Sequence, residues 1–136
     1  MILAEEARYT HEPVLLRETL ERLVTDKGGL YLDATLGLGG HCEALLKTLS
    51  AQGKVLGLDA DPEALAEAGH RLAAYSGSFH AVRSNFRSLG VVLENEGFFP
   101  LSWALFDLGV SSLQLDKPAR GFSFRHEGPL DMRLGP

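Results

Sequence analysis

The chain has 136 residues, of which 45% are hydrophobic and 23% charged, and its formal net charge is -5. This length suits one ordinary domain, and the composition is typical of a globular protein and excludes global disorder. A single cysteine excludes an internal disulfide framework, and no apolar run or basic leader indicates a membrane span or a secretory signal, so a cytoplasmic protein is expected.

Short apolar runs alternate with helical patterns along the chain, and this alternation predicts βαβ units and a parallel sheet. A first helix is predicted to start near Pro13, a residue type that suits the first helical position, and to end before the glycines at 28 and 29. Its apolar stripe consists of Leu16, Leu20 and Leu23. The first strand covers 30–33. The second helix presents one apolar face, made of Cys42, Leu45, Leu46 and Leu49.

Carboxylates mark the next strand and helix. The apolar run 55–58 predicts strand two, which ends at Asp59. Asp61 is a favourable N-cap and Pro62 a favourable first residue, so a third helix is predicted to begin there. Its inner face consists of Leu65, Ala68 and Leu72.

The remaining apolar runs predict two further strands with a helix between them. Strand three is expected at 79–82, and strand four at 103–106, ending at Asp107. The helix, which Gly97 ends, presents Phe86, Leu89 and Leu93. The right-handed crossover rule then gives the sheet order 3-2-1-4, which is the first half of a doubly wound sheet.

The segment DATLGLGGH at 33–41 follows strand one directly and opens the second helix. Glycines there let backbone approach a ligand closely, and the helix start offers N–H groups. Asp59 follows Gly37 by 22 residues, and a carboxylate at the end of strand two can accept hydrogen bonds from both hydroxyls of a ribose. The combination predicts an adenosine-cofactor site, in preference to a purely structural turn.

Two residues bear on which cofactor that site would take. The dinucleotide pattern needs glycine or alanine at position 42, where Cys42 stands, and this cysteine is expected to be a core residue rather than a reactive thiol. An acid ahead of the glycines, here Asp33, is more typical of S-adenosylmethionine sites. S-adenosylmethionine is therefore favoured over NAD, and an NAD-binding module is the alternative.

Asp107 opens a second polar cluster, DLGVSS, at the end of strand four. That position faces the same crevice, so Asp107 is a candidate contact to substrate or cofactor, with the capping of a loop as an equal alternative. No metal site is expected, because the histidines at 70, 80 and 126 lack ligand spacing.

Four segments resemble the bacterial and mitochondrial family of small-subunit ribosomal RNA cytosine-N4 methyltransferases. They are HEPVLL at 11–16, LDATLGLGGH at 32–41, DLGVSSLQLD at 107–116 and RGFSFRHEGPLDMR at 120–133. The resemblance covers nearly the whole chain from residue 11 onward. It implies a Rossmann-like class I fold, S-adenosylmethionine as cofactor, and methylation of a cytidine N4 in the decoding region of the small subunit.

The resemblance also implies the residues that contact the cofactor. They are Gly39, Gly40, His41, Asp59, Phe86, Asp107 and Gln114. Phe86 without the resemblance would be an ordinary core residue, and Gln114 an exposed loop amide. No residue is assigned as the catalytic base, since His41 serves equally well as a hydrogen-bonding group at a helix start.

Members of that family are longer and continue with an inserted helical region and further strands. We therefore expect an N-terminal extension, a cofactor-binding half-domain and a terminal loop, at 1–12, 13–109 and 110–136 respectively. This chain alone is expected to bind S-adenosylmethionine weakly and to methylate little or nothing, and a non-catalytic remnant that binds ribosomes or proteins is a further alternative. Strand four would form an apolar edge, so a homodimer is one expected assembly.

Contacts with ribosomal RNA have little support in the charge of the chain. Neither half carries the excess of Lys and Arg that high-affinity phosphate binding needs. Three arginines near the end of the chain are expected either to contact RNA phosphates or to hold the terminal loop in place, and the sequence supports both hypotheses equally. The three are Arg120, Arg125 and Arg133.

Overall fold

A computed structural model describes residues 16–106, which form four parallel strands and the helices that connect them. In chain order the main elements are α1 Leu16–Leu23, β1 Leu30–Asp33, α2 Gly40–Thr48, β2 Lys54–Asp59, α3 Pro62–Arg71, β3 Phe79–Arg83, α4 Leu89–Glu96 and β4 Trp103–Leu105. Two single-turn 3-10 helices lie at Ala73–Tyr75 and Phe86–Ser88. None of the helices in this part of the chain is both long and apolar enough to cross a membrane.

The strand order is β3-β2-β1-β4, and all pairings are parallel, which confirms the predicted 3-2-1-4 sheet. Asp33 at the end of β1 pairs with Gly57 of β2 on one side and with Leu105 of β4 on the other. Because the strands are parallel, all four end at the same side of the sheet. We call this side the carboxyl edge; it includes 33–40, 59–62 and 83–88.

Side chains alternate between two cores on opposite faces of the sheet. Tyr31 and Val55, both fully buried, point to one core, which they share with α1, α2 and α3. Leu32 and Leu56 point to the other, beneath α4. The helical face predicted for α2 is part of the first core, and Cys42, Leu45 and Leu46 there are buried. Helices thus cover both faces, as in a doubly wound sheet.

The start of α3 agrees with its prediction. Asp61 is fully buried, its side chain accepts a hydrogen bond of 3.0 Å from the backbone N–H of Glu63, and Pro62 is the first helical residue. We expect Asp61→Ala to lower the free energy of unfolding by about 1–2 kcal/mol, because an N-cap acceptor is lost. Asp61→Ser retains an acceptor and serves as the matched control. Urea unfolding of both variants checks this, and equal losses would contradict it.

Several predicted boundaries differ from the structure, and the smallest differences are at strand two, which also includes Lys54, and at strand three, which also includes Arg83. The fourth helix begins at Leu89 rather than at Phe86, because Asn85 holds a 3-10 turn ahead of it: its side-chain oxygen accepts from Arg87 N–H at 3.0 Å and its carbonyl from Ser88 N–H at 3.3 Å. Strand four ends at Leu105 and does not include Phe106. The predicted helix start near Pro13, the N-terminal extension and the terminal loop lie outside the described residues. Gly97, with φ +68°, ends α4 as predicted.

Within the described residues β4 is an outer strand of the sheet, with one exposed aromatic side chain on it and one directly after it. Trp103 and Phe106 are each 47% exposed, whereas Ala104 packs against the core beneath α4. An apolar outer strand therefore exists in this part of the chain, as the sequence predicted. The homodimer expected from it stays a prediction.

Candidate functional site

The loop from β1 to α2 forms the centre of the candidate site, and we call its residues 34–39 the glycine turn. Two hydrogen bonds of 2.9 Å fold it: Leu36 N–H donates to Leu58 of β2, and Gly39 N–H donates back to Leu36. Gly37 and Gly39 have φ values of +53° and +84°, a left-handed backbone that glycine adopts without steric cost. The glycines are therefore required by the path of the chain.

The carboxylate of Asp59 joins the glycine turn to the end of β2. One oxygen accepts the backbone N–H of Gly37 at 2.9 Å, and the other accepts that of Asp61 at 2.8 Å. The sequence predicted Asp59 and the glycines to lie together, and the structure brings them together. A carboxylate can accept about four hydrogen bonds, so holding the turn and contacting a ribose are compatible roles.

Asp33 supports the same turn from beneath. It is 2% exposed, and its carboxylate accepts the backbone N–H of Thr35 at 3.1 Å. The acid that the sequence placed ahead of the glycines thus fixes the first bend of the glycine turn. A buried acid in this position shapes the loop rather than presenting itself to solvent.

Cys42 lies on the buried face of α2 and is fully inaccessible, which confirms its predicted place in the core. Burial raises the pKa of its thiol, and the nearby carboxylates of Asp33 and Glu43 raise it further. Because the thiolate is the nucleophile, we expect native Cys42 to react with iodoacetamide at pH 8 at least about 100-fold more slowly than in urea-unfolded chain. Equal alkylation rates in the two states would contradict this.

The first turn of α2 faces the carboxyl edge. Its first intrahelical bond runs from Glu43 N–H to Gly39 at 2.8 Å, so the N–H groups of 40–42 precede it. Such a helix start favours negatively charged or hydrogen-bond-accepting groups. His41 is half-buried there. Gly39 itself packs closely on the end of α3, since a Cβ on it would lie 3.4 Å from Ala68 and 3.1 Å from Cδ1 of Leu72, the residue after the helix.

The structure places some predicted site residues and leaves others outside. The group at the end of β1 and β2 is brought together; it consists of Gly39, Gly40, His41 and Asp59. Phe86 follows β3 at the same edge, but its side chain lies outside what the structure describes. Asp107 and Gln114 lie outside the described residues altogether. Their roles as cofactor contacts stay predictions.

Two residues that shape the site were missed by the sequence analysis. Gly37 was used only to count the spacing to Asp59 and was not among the predicted contacts, although its N–H is the one that Asp59 holds. Gly57 was taken as an ordinary strand residue, although the side chain of Leu36 lies against it. A glycine inside an apolar strand often marks a close approach of another group, and this signal could have found Gly57.

The carboxyl edge therefore combines three features around β1 and β2: a carboxylate acceptor, a helix start with N–H donors, and a glycine backbone that a ligand can approach. These features suit a ligand with hydroxyl groups and a carboxylate of its own. No group of three His, Cys, Asp or Glu side chains that could hold a metal ion occurs among residues 16–106.

The sequence comparisons all point to one family of proteins. The model of the MraW methylase family matches residues 8–136. Ribosomal RNA small subunit methyltransferase H of Carboxydothermus hydrogenoformans is 52% identical over 128 residues, which cover 94% of this chain and 40% of that protein. The protein of the same name from Thermomicrobium roseum is 47% identical over 136 residues, covering 100% of this chain and 42% of its own length. The chain thus spans well under half the length of these relatives.

Structural comparisons confirm the fold. An rRNA methylase of Streptococcus thermophilus superposes with a TM-score of 0.53 at 26% identity, over 68% of this chain and 51% of that one. A Clostridium thermocellum structure gives a TM-score of 0.60 at 18% identity, over 75% of this chain and 55% of the other, a likeness that concerns the fold alone. Together with the 3-2-1-4 sheet order, they confirm the predicted Rossmann-like methyltransferase fold.

Proposed function

Because the chain belongs to the MraW methylase family, we propose that it carries the cofactor-binding half of an S-adenosylmethionine-dependent ribosomal RNA methyltransferase. The names of its relatives support a substrate in the RNA of the small ribosomal subunit. The observation that carries the proposal is the hydrogen bond between Gly37 N–H and Asp59, since it joins the glycine turn to the acid that would meet a ribose.

The donor and acceptor groups at the carboxyl edge fit S-adenosylmethionine. The carboxylate of Asp59 suits the two ribose hydroxyls, and the start of α2 suits the carboxylate of the amino-acid part. We place the remaining contacts on predicted positions: Gly39, Gly40, His41, Phe86, Asp107 and Gln114. When bound, the cofactor would supply the methyl group of its sulfonium, and the neutral thioether that remains would be the leaving group.

The proposed target atom is the exocyclic N4 of a cytidine in the decoding region. The support is the resemblance of the segments at 107–116 and 120–133 to the cytosine-N4 methyltransferase family. An amine conjugated to a pyrimidine ring is a poor nucleophile, because its lone pair is delocalised into the ring. The protein must therefore hold the amine in line with the methyl group and let its proton leave late in the reaction. The hydrogen bonds that Asp59 makes at the carboxyl edge would serve the first need by fixing the cofactor.

Calorimetric titration of the chain with S-adenosylmethionine and, separately, with NADH tests the cofactor. We expect weak but saturable binding of S-adenosylmethionine and none of NADH. Saturable binding is expected because Asp59 offers an acceptor for the ribose and the start of α2 offers N–H donors for a carboxylate. Tight NADH binding without a response to S-adenosylmethionine would instead identify a dinucleotide-binding module.

Incubation of the chain with small ribosomal subunits and methyl-labelled S-adenosylmethionine, followed by nucleoside analysis, tests the substrate. We expect little label, and all of it in N4-methylcytidine. Label in another nucleoside would contradict the proposed target atom. Binding to subunits without any affinity for the cofactor would support a non-catalytic remnant.

A further inference from the structure

One contact beneath the glycine turn points to a residue that positions it. Leu36 is 3% exposed, and its side chain lies against the Cα of Gly57 in the middle of β2. A Cβ built on Gly57 would stand only 2.8 Å from one methyl carbon of Leu36, 3.0 Å from the other, and 3.0 Å from Phe79 of β3. The leucine therefore occupies the space that any larger residue at 57 would fill.

The backbone of Leu36 is held at both of its polar groups. Its N–H donates to Leu58 at 2.9 Å, and its carbonyl accepts the N–H of Gly39 at 2.9 Å. Side chain and backbone thus attach this residue to β2 and to the end of the glycine turn at once. The next residue is Gly37, whose N–H meets Asp59. A shift of Leu36 must therefore move the donor away from the carboxylate.

We propose that Leu36, seated on the bare backbone of Gly57, is a positioning residue that aligns the glycine turn with Asp59 for cofactor binding. The proposal rests on the proposed function for the identity of the ligand. The two residues are matched in size. The large side chain of Leu36 fits against the strand only because residue 57 has no side chain. Neither residue needs to touch the cofactor.

The test combines Leu36→Ala, Gly57→Ala and the double variant with a matched core variant, Leu93→Ala. Leu93 is 7% exposed in the core on the opposite face of the sheet, whereas Leu36 belongs to the other core, so Leu93→Ala removes the same atoms from the face that Leu36 does not occupy. Affinity for S-adenosylmethionine is measured by calorimetry at a temperature where every variant is folded, and melting temperatures are recorded alongside.

We expect Leu36→Ala and Gly57→Ala each to weaken binding about tenfold, the effect of misaligning one hydrogen bond to a charged group. Leu93→Ala should lower the melting temperature without changing affinity. The double variant should bind better than the sum of the two single losses predicts, because the new methyl partly fills the space that Leu36 vacates. Equal affinity losses in Leu36→Ala and Leu93→Ala, or additive losses in the double variant, would overturn the proposal.

Hydrogen exchange of the Gly37 amide, measured without any cofactor, separates this proposal from the proposed function. Faster exchange in Leu36→Ala than in Leu93→Ala supports the positioning role even if S-adenosylmethionine does not bind. Unchanged exchange at Gly37 contradicts it even if the cofactor does bind. Should Leu36→Ala fail to fold, Leu36→Val, which shortens the side chain less, takes its place in both measurements.

Discussion

Replacing Asp59 by alanine is expected to weaken S-adenosylmethionine binding by about 30- to 100-fold, measured by calorimetry. The carboxylate would accept the ribose hydroxyls, and hydrogen bonds to a charged acceptor are about twice as strong as neutral ones. The variant also removes the acceptor of Gly37 N–H. This hydrogen bond of 2.9 Å, from Gly37 N to a carboxylate oxygen of Asp59, holds the glycine turn against the end of β2. Both losses lower affinity, and the second also lowers the free energy of unfolding.

Two further variants distinguish a lost contact from a general loss of negative charge. Glu67→Gln removes an exposed carboxylate on α3 and should leave the affinity unchanged. Asp59→Asn keeps one acceptor oxygen but turns an N–H₂ donor toward one of two backbone donors, so it should bind nearly as weakly as Asp59→Ala. An Asp59→Ala chain that binds as tightly as the unchanged chain would exclude this residue from the site.

Gly39→Ala and Gly69→Ala make the same chemical change with opposite expected effects on stability. Gly39 has φ +84°, and a Cβ there would meet Leu72 at 3.1 Å and Ala68 at 3.4 Å. We expect a loss of about 2–4 kcal/mol in the free energy of unfolding, from backbone strain and overpacking together. Gly69 lies inside α3 with open space around its Cα, so alanine there should stabilise by about 0.5–1 kcal/mol.

Urea unfolding followed by circular dichroism measures both changes on one scale. Gly39→Ala should also weaken S-adenosylmethionine binding, because the left-handed residue precedes the first turn of α2. Gly69→Ala should leave binding as it is. If both variants change stability in the same direction, the left-handed backbone at position 39 is not a requirement of the fold.

Much of the fold could be predicted because its determinants are local in the sequence. The apolar runs gave the strands, and carboxylates at 33 and 59 marked their ends. Asp61 with Pro62 marked the start of α3. Parallel crossovers have one preferred hand, so the order of strands followed from the order of elements. The family was predicted from four segments, of which the two after residue 106 are the most specific, and the comparisons confirm it.

The features that the sequence analysis missed depend on contacts between residues distant in sequence, or on local hydrogen bonds that the apolar pattern does not show. The seat of Leu36 on Gly57 joins a loop to a strand 21 residues later (57 − 36), and no local pattern encodes it. The 3-10 turn at Phe86–Ser88 is closed by the backbone hydrogen bond from Ser88 N–H to Asn85, and the side chain of Asn85 caps it by accepting the N–H of Arg87. Apolar spacing alone predicts a helix there but not its first residue.

The central claim is that the carboxyl edge between β1 and β2 binds the adenosine of S-adenosylmethionine. Titration of the ¹⁵N-labelled chain with S-adenosylmethionine, followed amide by amide, tests it most directly. We predict that the largest shifts fall on 37–41 and 59–61, with Gly37 among them. Shifts confined to the opposite edge of the sheet, at 27–29 and 50–54, or no shifts at saturating cofactor, would contradict the claim.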